Sequence, residues 1–182
     1  MGLGSWGIAL FGYLFTYYHT KLTDERKVTI DRVNEQLRDF YGPLLACVTA
    51  SKSAYDAMVR QHSPDGTVVG FQRAVTNDPG GKEGHIYRQW MTDVLQPLNE
   101  RAAAIIFDHV DLLDTSRIEP LLLQLVAHVS AYKVILSRWK KGEISGEVSV
   151  ISYPDRLVDY IRTEFGRLKR LQSHLIGRRA RL

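Results

Sequence analysis

The sequence predicts an all-α protein, in which a single N-terminal transmembrane helix is followed by a bundle of about four to five helices with proline-kinked members. Three observations lead to this fold class. The chain begins with a long uncharged run, apolar residues then recur every three or four positions, and glycine, proline and charged residues mark the ends of these repeats. The predicted domains are an anchor over residues 1–22, a bundle over 23–176 and a basic C-terminal tail over 177–182.

Composition indicates a globular protein. The chain has 182 residues, of which 45% are hydrophobic and 24% charged, with a net charge of +4. Its single cysteine, Cys47, excludes an internal disulfide framework, and no Asn-x-Ser/Thr acceptor occurs. Both features fit a reducing, non-secretory compartment.

The uncharged segment Leu3–Tyr18 is the predicted anchor. Its sixteen residues would span about 24 Å as a helix, roughly a turn less than the hydrocarbon core of a bilayer. The aliphatic stem of Lys21 can extend it, and Trp6, Tyr17 and Tyr18 suit the aromatic belts of the two interfaces. A buried core helix is the main alternative. A cleaved signal peptide fits poorly, since no basic residue precedes Lys21.

Charge predicts the orientation of this anchor. Lys21, Arg26, Lys27 and Arg32 follow the uncharged segment closely, and no basic residue precedes it. The positive-inside rule then places the body on the cytoplasmic side, or on the matrix or stromal equivalent. The expected localisation is therefore a membrane, with a single pass.

Small residues recur along one face of the predicted anchor. Ser5, Ala9, Gly12 and Thr16 are spaced four, three and four residues apart. Such a stripe lets another membrane helix approach closely. The alternative is that small residues are simply common in membrane spans.

The rest of the chain divides into helical segments. Pro43 and Pro97 should kink the helices that contain them, because proline removes a backbone hydrogen bond. The first segment can continue straight from the membrane helix, and Cys47 is expected to be a small core residue. The predicted segments are Asp24–Tyr41, Pro43–Gln61, a short helix within Thr67–Thr76, Gly84–Asp114, Pro120–Trp139, and a last helix from Pro154 to Gly177.

The segment Pro120–Trp139 is apolar around most of its circumference, which predicts that it is surrounded at the centre of the bundle. Gln124, His128 and Tyr132 recur every four residues along it and are named the polar stripe. This stripe could contact a ligand. It could equally form a hydrogen-bonded core network or a seam that faces a partner.

Two groupings were tested as catalytic or binding motifs. Gly80-Gly81-Lys82 lacks the spacing of a phosphate-binding loop. Asp108, His109, Asp111 and Asp114 are the most metal-like cluster, but no Glu-x-x-His pair accompanies them, and a solvated acidic corner is the better interpretation. The sequence therefore predicts no catalytic residue, no cofactor and no metal.

The final helix is strongly basic. Its cations should lie on or beyond the exposed side, opposite a buried leucine face. They can meet anionic lipid headgroups, an acidic patch on a partner, or only solvent. The predicted basic surface consists of Arg167, Arg170, Arg178, Arg179 and Arg181.

These features favour a non-enzymatic, membrane-anchored accessory, assembly or tethering subunit of a larger membrane complex. The expected partners are the membrane and other subunits, with anionic lipid as a further candidate. An enzyme or ligand binder that uses the polar stripe is one alternative, and an electrostatic lipid binder is another. Nucleic acid is not expected, because aromatic residues are not interleaved with the basic ones.

Overall fold

The computed structural model describes residues 3–115, 117–144 and 151–179, without the side chains of residues 3–12, 14, 178 and 179. Within these ranges the chain is all-helical and contains no strand. The α-helices are α1 (Leu3–Glu35), α2 (Gly42–His62), α3 (Val68–Asn77), α4 (Lys82–Trp90), α5 (Gln96–Asp108), α6 (Pro120–Lys140) and α7 (Leu157–Arg179).

Two π-helical segments join neighbouring helices into longer rods. Gln36–Tyr41 connects α1 to α2, and Met91–Leu95 connects α4 to α5. The described chain therefore consists of five helical rods, in agreement with the predicted helical bundle.

Both π-helical segments directly precede a proline at the second position of the next α-helix. Pro43 offers no N–H to the carbonyl four residues earlier, and its ring crowds that carbonyl. The preceding turn widens in response, and the Gly42 N–H bonds to the carbonyl of Leu37, five residues back. The same pattern precedes Pro97. The interruptions predicted at these prolines thus occur as wide turns within continuous rods.

The main core lies where the end of α1, the first π-helical segment, α2, α5, α6 and α7 meet. Phe40, Leu44, Leu125 and Leu157 are fully buried there. Cys47 is buried in the same cluster, as predicted. A second, smaller cluster forms around Met58, Phe71, Met91 and Tyr132.

The prediction that α6 is surrounded at the centre was wrong. α5 holds the more central place, since it packs against both α2 and α6. Leu125 of α6 is fully buried, whereas Leu123 is 49% exposed and Val134 is 56% exposed. An apolar circumference does not specify which face is buried, because apolar side chains are also common on protein surfaces.

Among the described helices, α6 is the one whose length and composition would allow it to cross a membrane. Core helices of soluble proteins meet the same criterion. The buried face of α6, including Leu122 and Val129, belongs to the main core of the bundle. We therefore assign α6 to the body.

α1 begins outside the bundle and enters it only near its C-terminal third. Tyr13 and all residues from Phe15 to Glu25 are exposed, and Val33 is the first buried residue among the described side chains of α1. The side chains of Ser5, Ala9 and Gly12 lie outside the described residues, and Thr16 is exposed. The transmembrane anchor and its stripe of small residues thus stay predictions.

α7 runs antiparallel to the second half of α1. The Arg26 side chain donates to the carbonyl of Leu175, and Gln172 Nε2 donates to Asn34 Oδ1 at 2.6 Å. Residue numbers therefore rise along one helix as they fall along the other. As a result, the end of α7 points back toward the exposed part of α1.

Candidate functional site

The polar stripe of α6 binds the non-helical segment that precedes α7. Gln124 Nε2 donates to the carbonyl of Ser152 at 3.1 Å, and His128 Nδ1 donates to the carbonyl of Ile151 at 2.6 Å. Residues four apart lie on one helix face, so the two side chains reach two successive carbonyls. Ile151 and Ser152 lie outside any helix, and the stripe gives their carbonyls hydrogen-bond donors.

Tyr132, the third member of the stripe, connects α6 to α4. Its hydroxyl forms a hydrogen bond with the hydroxyl of Tyr87. The His128 ring lies 5.0 Å from the Tyr132 ring and 5.5 Å from the Tyr153 ring, while Trp139 flanks Tyr132 at 6.4 Å. These edge-to-face and tilted contacts form an aromatic cluster between α4, α6 and the segment that precedes α7. Of the three interpretations open from the sequence, the geometry matches the hydrogen-bonded core network.

Burial sets the protonation of this cluster. It lowers the pKa of His128, and the hydrogen bond to Ile151 opposes that shift only in part. It also raises the pKa of Tyr132, and that of Tyr153 to about 12. At neutral pH the imidazole is therefore uncharged and the phenols keep their protons. The described contacts of the stripe tie segments of the bundle together.

The acidic grouping of the sequence forms a structural bridge at Asp114. Its Oδ1 accepts from Gln36 Nε2 at 2.6 Å, and its Oδ2 accepts from Arg167 Nη2 at 3.1 Å. The same Gln36 nitrogen donates to the carbonyl of Leu112 at 2.7 Å. This bridge joins the first π-helical segment, the loop before α6 and the middle of α7.

Two of the other three members of the acidic grouping are exposed to solvent. Asp108 and Asp111 are exposed, as predicted for a solvated corner, and His109 is half-buried. In the part of the chain that the structure describes, no group of three His, Cys, Asp or Glu side chains is arranged to hold a metal ion. Asp114 is also exposed, and in addition it has protein partners on both oxygens.

The predicted basic surface separates into two parts. Arg167 is tied to Glu164 at 2.9 Å as well as to Asp114, in the middle of α7. Arg170 is exposed on the same stretch. Arg178 and Arg179 are the last two residues of α7, with side chains outside the described set, and Arg181 lies outside the described residues. Arg170 and Arg178 lie eight residues apart, so more than two helical turns separate the two parts of this surface.

An open groove of about 590 Å³ lies between α2 and α7. Small residues of α2 between Gly42 and Ser53 line one wall, and Arg162 and Phe165 of α7 line the other. Arg162 is already paired with Asp159 at 3.0 Å. The groove is therefore an open depression with mostly small side chains along its α2 wall.

Buried amides are the polar positions that the sequence analysis missed. Gln36 is only 1% exposed, and Gln96 and Asn99 of α5 are also buried. Gln96 Nε2 donates to the carbonyl of Val129 at 3.2 Å and so connects α5 to α6. A signal was present for Gln36, because it lies three residues after Val33 and thus on the apolar face of its helix.

Comparison with known proteins gives no relative from which a role could be transferred. No protein-family model, no curated protein and no solved structure matches this chain.

Proposed function

We propose that this chain is a single-pass membrane protein that serves as a non-enzymatic accessory, assembly or tethering subunit of a membrane complex. In this proposal α1 provides the anchor, and the bundle lies on the cytoplasmic side or its matrix or stromal equivalent. The observation that carries it is the exposed first part of α1. Tyr13 and Phe15 are 71% and 72% exposed, and Leu22 is 66% exposed. Exposure of such large apolar side chains to water is unfavourable, which favours a membrane or protein surface that covers them.

The uncharged run continues this exposed stretch toward the N-terminus. α1 is a single helix of 33 residues, which is about 50 Å long and thus longer than a bilayer core by about 20 Å. A bilayer can cover the uncharged part while the remainder enters the bundle. No flexible linker separates the two parts within α1. An anchor of this kind would hold the body at a fixed distance and rotation relative to the membrane.

The outward surface of the body supports a role in protein contacts. The polar stripe and Asp114 are engaged in bonds within the bundle. Partners can bind to the open groove between α2 and α7 and to the apolar surface around the exposed Leu123 and Val134 of α6. These surfaces favour a binding subunit over the alternative of a catalyst in the bundle.

Alkaline carbonate extraction tests the anchor. We expect the full chain to stay with the membrane pellet, and a chain that begins at Thr23 to be soluble and helical by circular dichroism. The Leu10→Arg variant is the control, because a cation in the middle of the span opposes insertion without touching the bundle. Release of the unaltered chain by carbonate would refute the anchor.

Purification in a mild, neutral detergent tests the subunit role. We expect the chain to co-purify with a defined set of membrane proteins in constant proportions. Recovery of the chain alone, with the anchor intact, would refute the subunit role while leaving the anchor in place.

A further inference from the structure

We infer that the end of α7 and the adjoining part of α1 form a basic collar that binds the anionic phosphate headgroups of a membrane surface. The collar consists of Lys21, Arg26 and Lys27 of α1 with Arg178 and Arg179 of α7. This inference rests on the membrane anchor proposed above, and it adds the class of lipid that the anchored protein selects.

The first step is the level that α7 reaches. The Arg26 side chain reaches the carbonyl of Leu175, and Gln172 bonds to Asn34, so these two contacts bracket the register of the antiparallel pair. α7 continues for four residues beyond Leu175 to Arg179, a rise of about 6 Å. Counted from these two contacts, Arg179 lies beside a residue of α1 between Leu22 and Lys27. The last turn of α7 therefore lies beside the charged residues that directly follow the uncharged segment.

The second step is the charge that the two helices contribute. From Arg167 to Arg179, α7 carries five basic residues and no acidic one. On α1, Lys21 and Lys27 are exposed, but Asp24 and Glu25 accompany them, and Lys21 Nζ lies 4.0 Å from Glu25. α1 alone is therefore nearly balanced at this height, and the end of α7 supplies the positive excess.

The third step is the match to headgroups. Cations next to an anionic bilayer surface strengthen association by roughly fivefold each. The effect decays within a Debye length of about 8–10 Å. Lys169 and Arg170 lie nine residues before Arg178 and Arg179, which places them about 13 Å closer to the N-terminus of α7. Two pairs of cations on one helix thus differ in height but not in charge.

Lipid binding by the full chain tests the collar. The chain is held in neutral maltoside micelles, phosphatidylserine or phosphatidylcholine is added, and the apparent Kd of each lipid is measured by native mass spectrometry. We expect phosphatidylserine to bind at least about fivefold more tightly than phosphatidylcholine. The double variant Arg178→Gln with Arg179→Gln should lose this preference. The matched control, Lys169→Gln with Arg170→Gln, removes the same charge and should keep it.

Three results would overturn the collar: equal affinity for the two lipids, an equal loss in both double variants, or competition by inorganic phosphate as strong as that by the lipid. The last result would identify a site for free phosphate in place of a lipid surface. Carbonate extraction separates this test from that of the anchor. Extraction of the unaltered chain would refute the anchor whatever the micelles report, and a lost lipid preference in a chain that resists carbonate would refute the collar alone.

Discussion

His128 combines burial with a short hydrogen bond to a main-chain carbonyl. Its Nδ1 lies 2.6 Å from the oxygen of Ile151, and Tyr132 and Tyr153 pack against its ring. Burial lowers its pKa below the ordinary value, which is about 6.5. The fold thus prefers the neutral ring. The stability gained from this preference is present above about pH 6.5 and is lost as the pH falls through the folded-state pKa.

This linkage predicts a loss of stability in mild acid that depends on His128. The free energy of unfolding, measured by urea titration of the body from Thr23 onward, should fall between pH 7.5 and pH 5. It should fall less in the His128→Asn variant, because asparagine can still donate to the Ile151 carbonyl but does not titrate. An identical pH dependence in both proteins would mean that His128 is not held neutral by the fold.

The contacts of individual side chains were harder to predict from the sequence than the helices were. The four-residue spacing of Gln124, His128 and Tyr132 placed them on one face, and the structure agrees. The hydrogen-bond partners of these side chains could not be predicted, since Ser152 lies 28 residues from Gln124 in the chain. Local spacing specifies a helix face, but the loop that will meet that face depends on tertiary packing.

At the scale of elements, α6 has one buried face and one exposed face. Leu125→Ala should reduce the free energy of unfolding by about 2–5 kcal/mol, since it removes apolar contacts and leaves a cavity. Leu123→Ala, two residues away on the exposed face, should change it by less than about 0.5 kcal/mol. Chemical unfolding of both variants measures this contrast. Similar losses at the two sites would show that both faces are covered.

Helix boundaries followed the sequence where the chemistry of the terminus is local. α6 ends at Lys140, close to the predicted Trp139, and Gly142 follows it with a φ of +82° and the Glu143 N–H bonded to the carbonyl of Arg138. Gly177 was expected to end the last helix, yet α7 continues to Arg179. Glycine stops a helix only when it adopts the left-handed conformation, and among the described glycines Gly66 and Gly142 do so.

Proline positions predicted that two rods are interrupted, but not the form of the interruption. The wide turns before Pro43 and Pro97 keep the rods continuous. In the first of them, Gln36 and Phe40 both reach the interior. A kink and a π-helical turn satisfy the same local constraint, and the packing of such buried side chains decides between them.

For the whole molecule, the pairing of α1 with α7 joins the two ends of the described chain. The contact between Arg26 and Leu175 spans 149 residues, and nothing in local spacing predicts it. The separate amphipathic patterns predicted both helices, and the sequence shows the basic residues that each of them carries. Only their antiparallel packing brings the basic end of α7 next to the charged residues of α1 that follow the uncharged segment. The sequence therefore predicted the two basic segments that make up the collar, but not that they lie side by side.

The anchor offers a prediction about association with a second membrane helix. Gly12 belongs to the stripe of small residues, and Gly7 lies five positions away, roughly 140° around the helix. Gly12→Leu should weaken co-purification with a membrane partner by about fivefold or more, because leucine keeps the helices apart. Gly7→Leu makes the same chemical change on another face and should leave co-purification unchanged.

Both substitutions raise the hydrophobicity of the span by the same amount, so neither should reduce resistance to carbonate extraction. Any difference between them must then come from the face that carries the leucine. Equal loss of the partner in both variants would indicate a general disturbance of the helix, and unchanged association in both would place the contact elsewhere. In the second case the body would have to provide the contact, and the groove between α2 and α7 would be the next surface to alter, for example with Ala50→Leu.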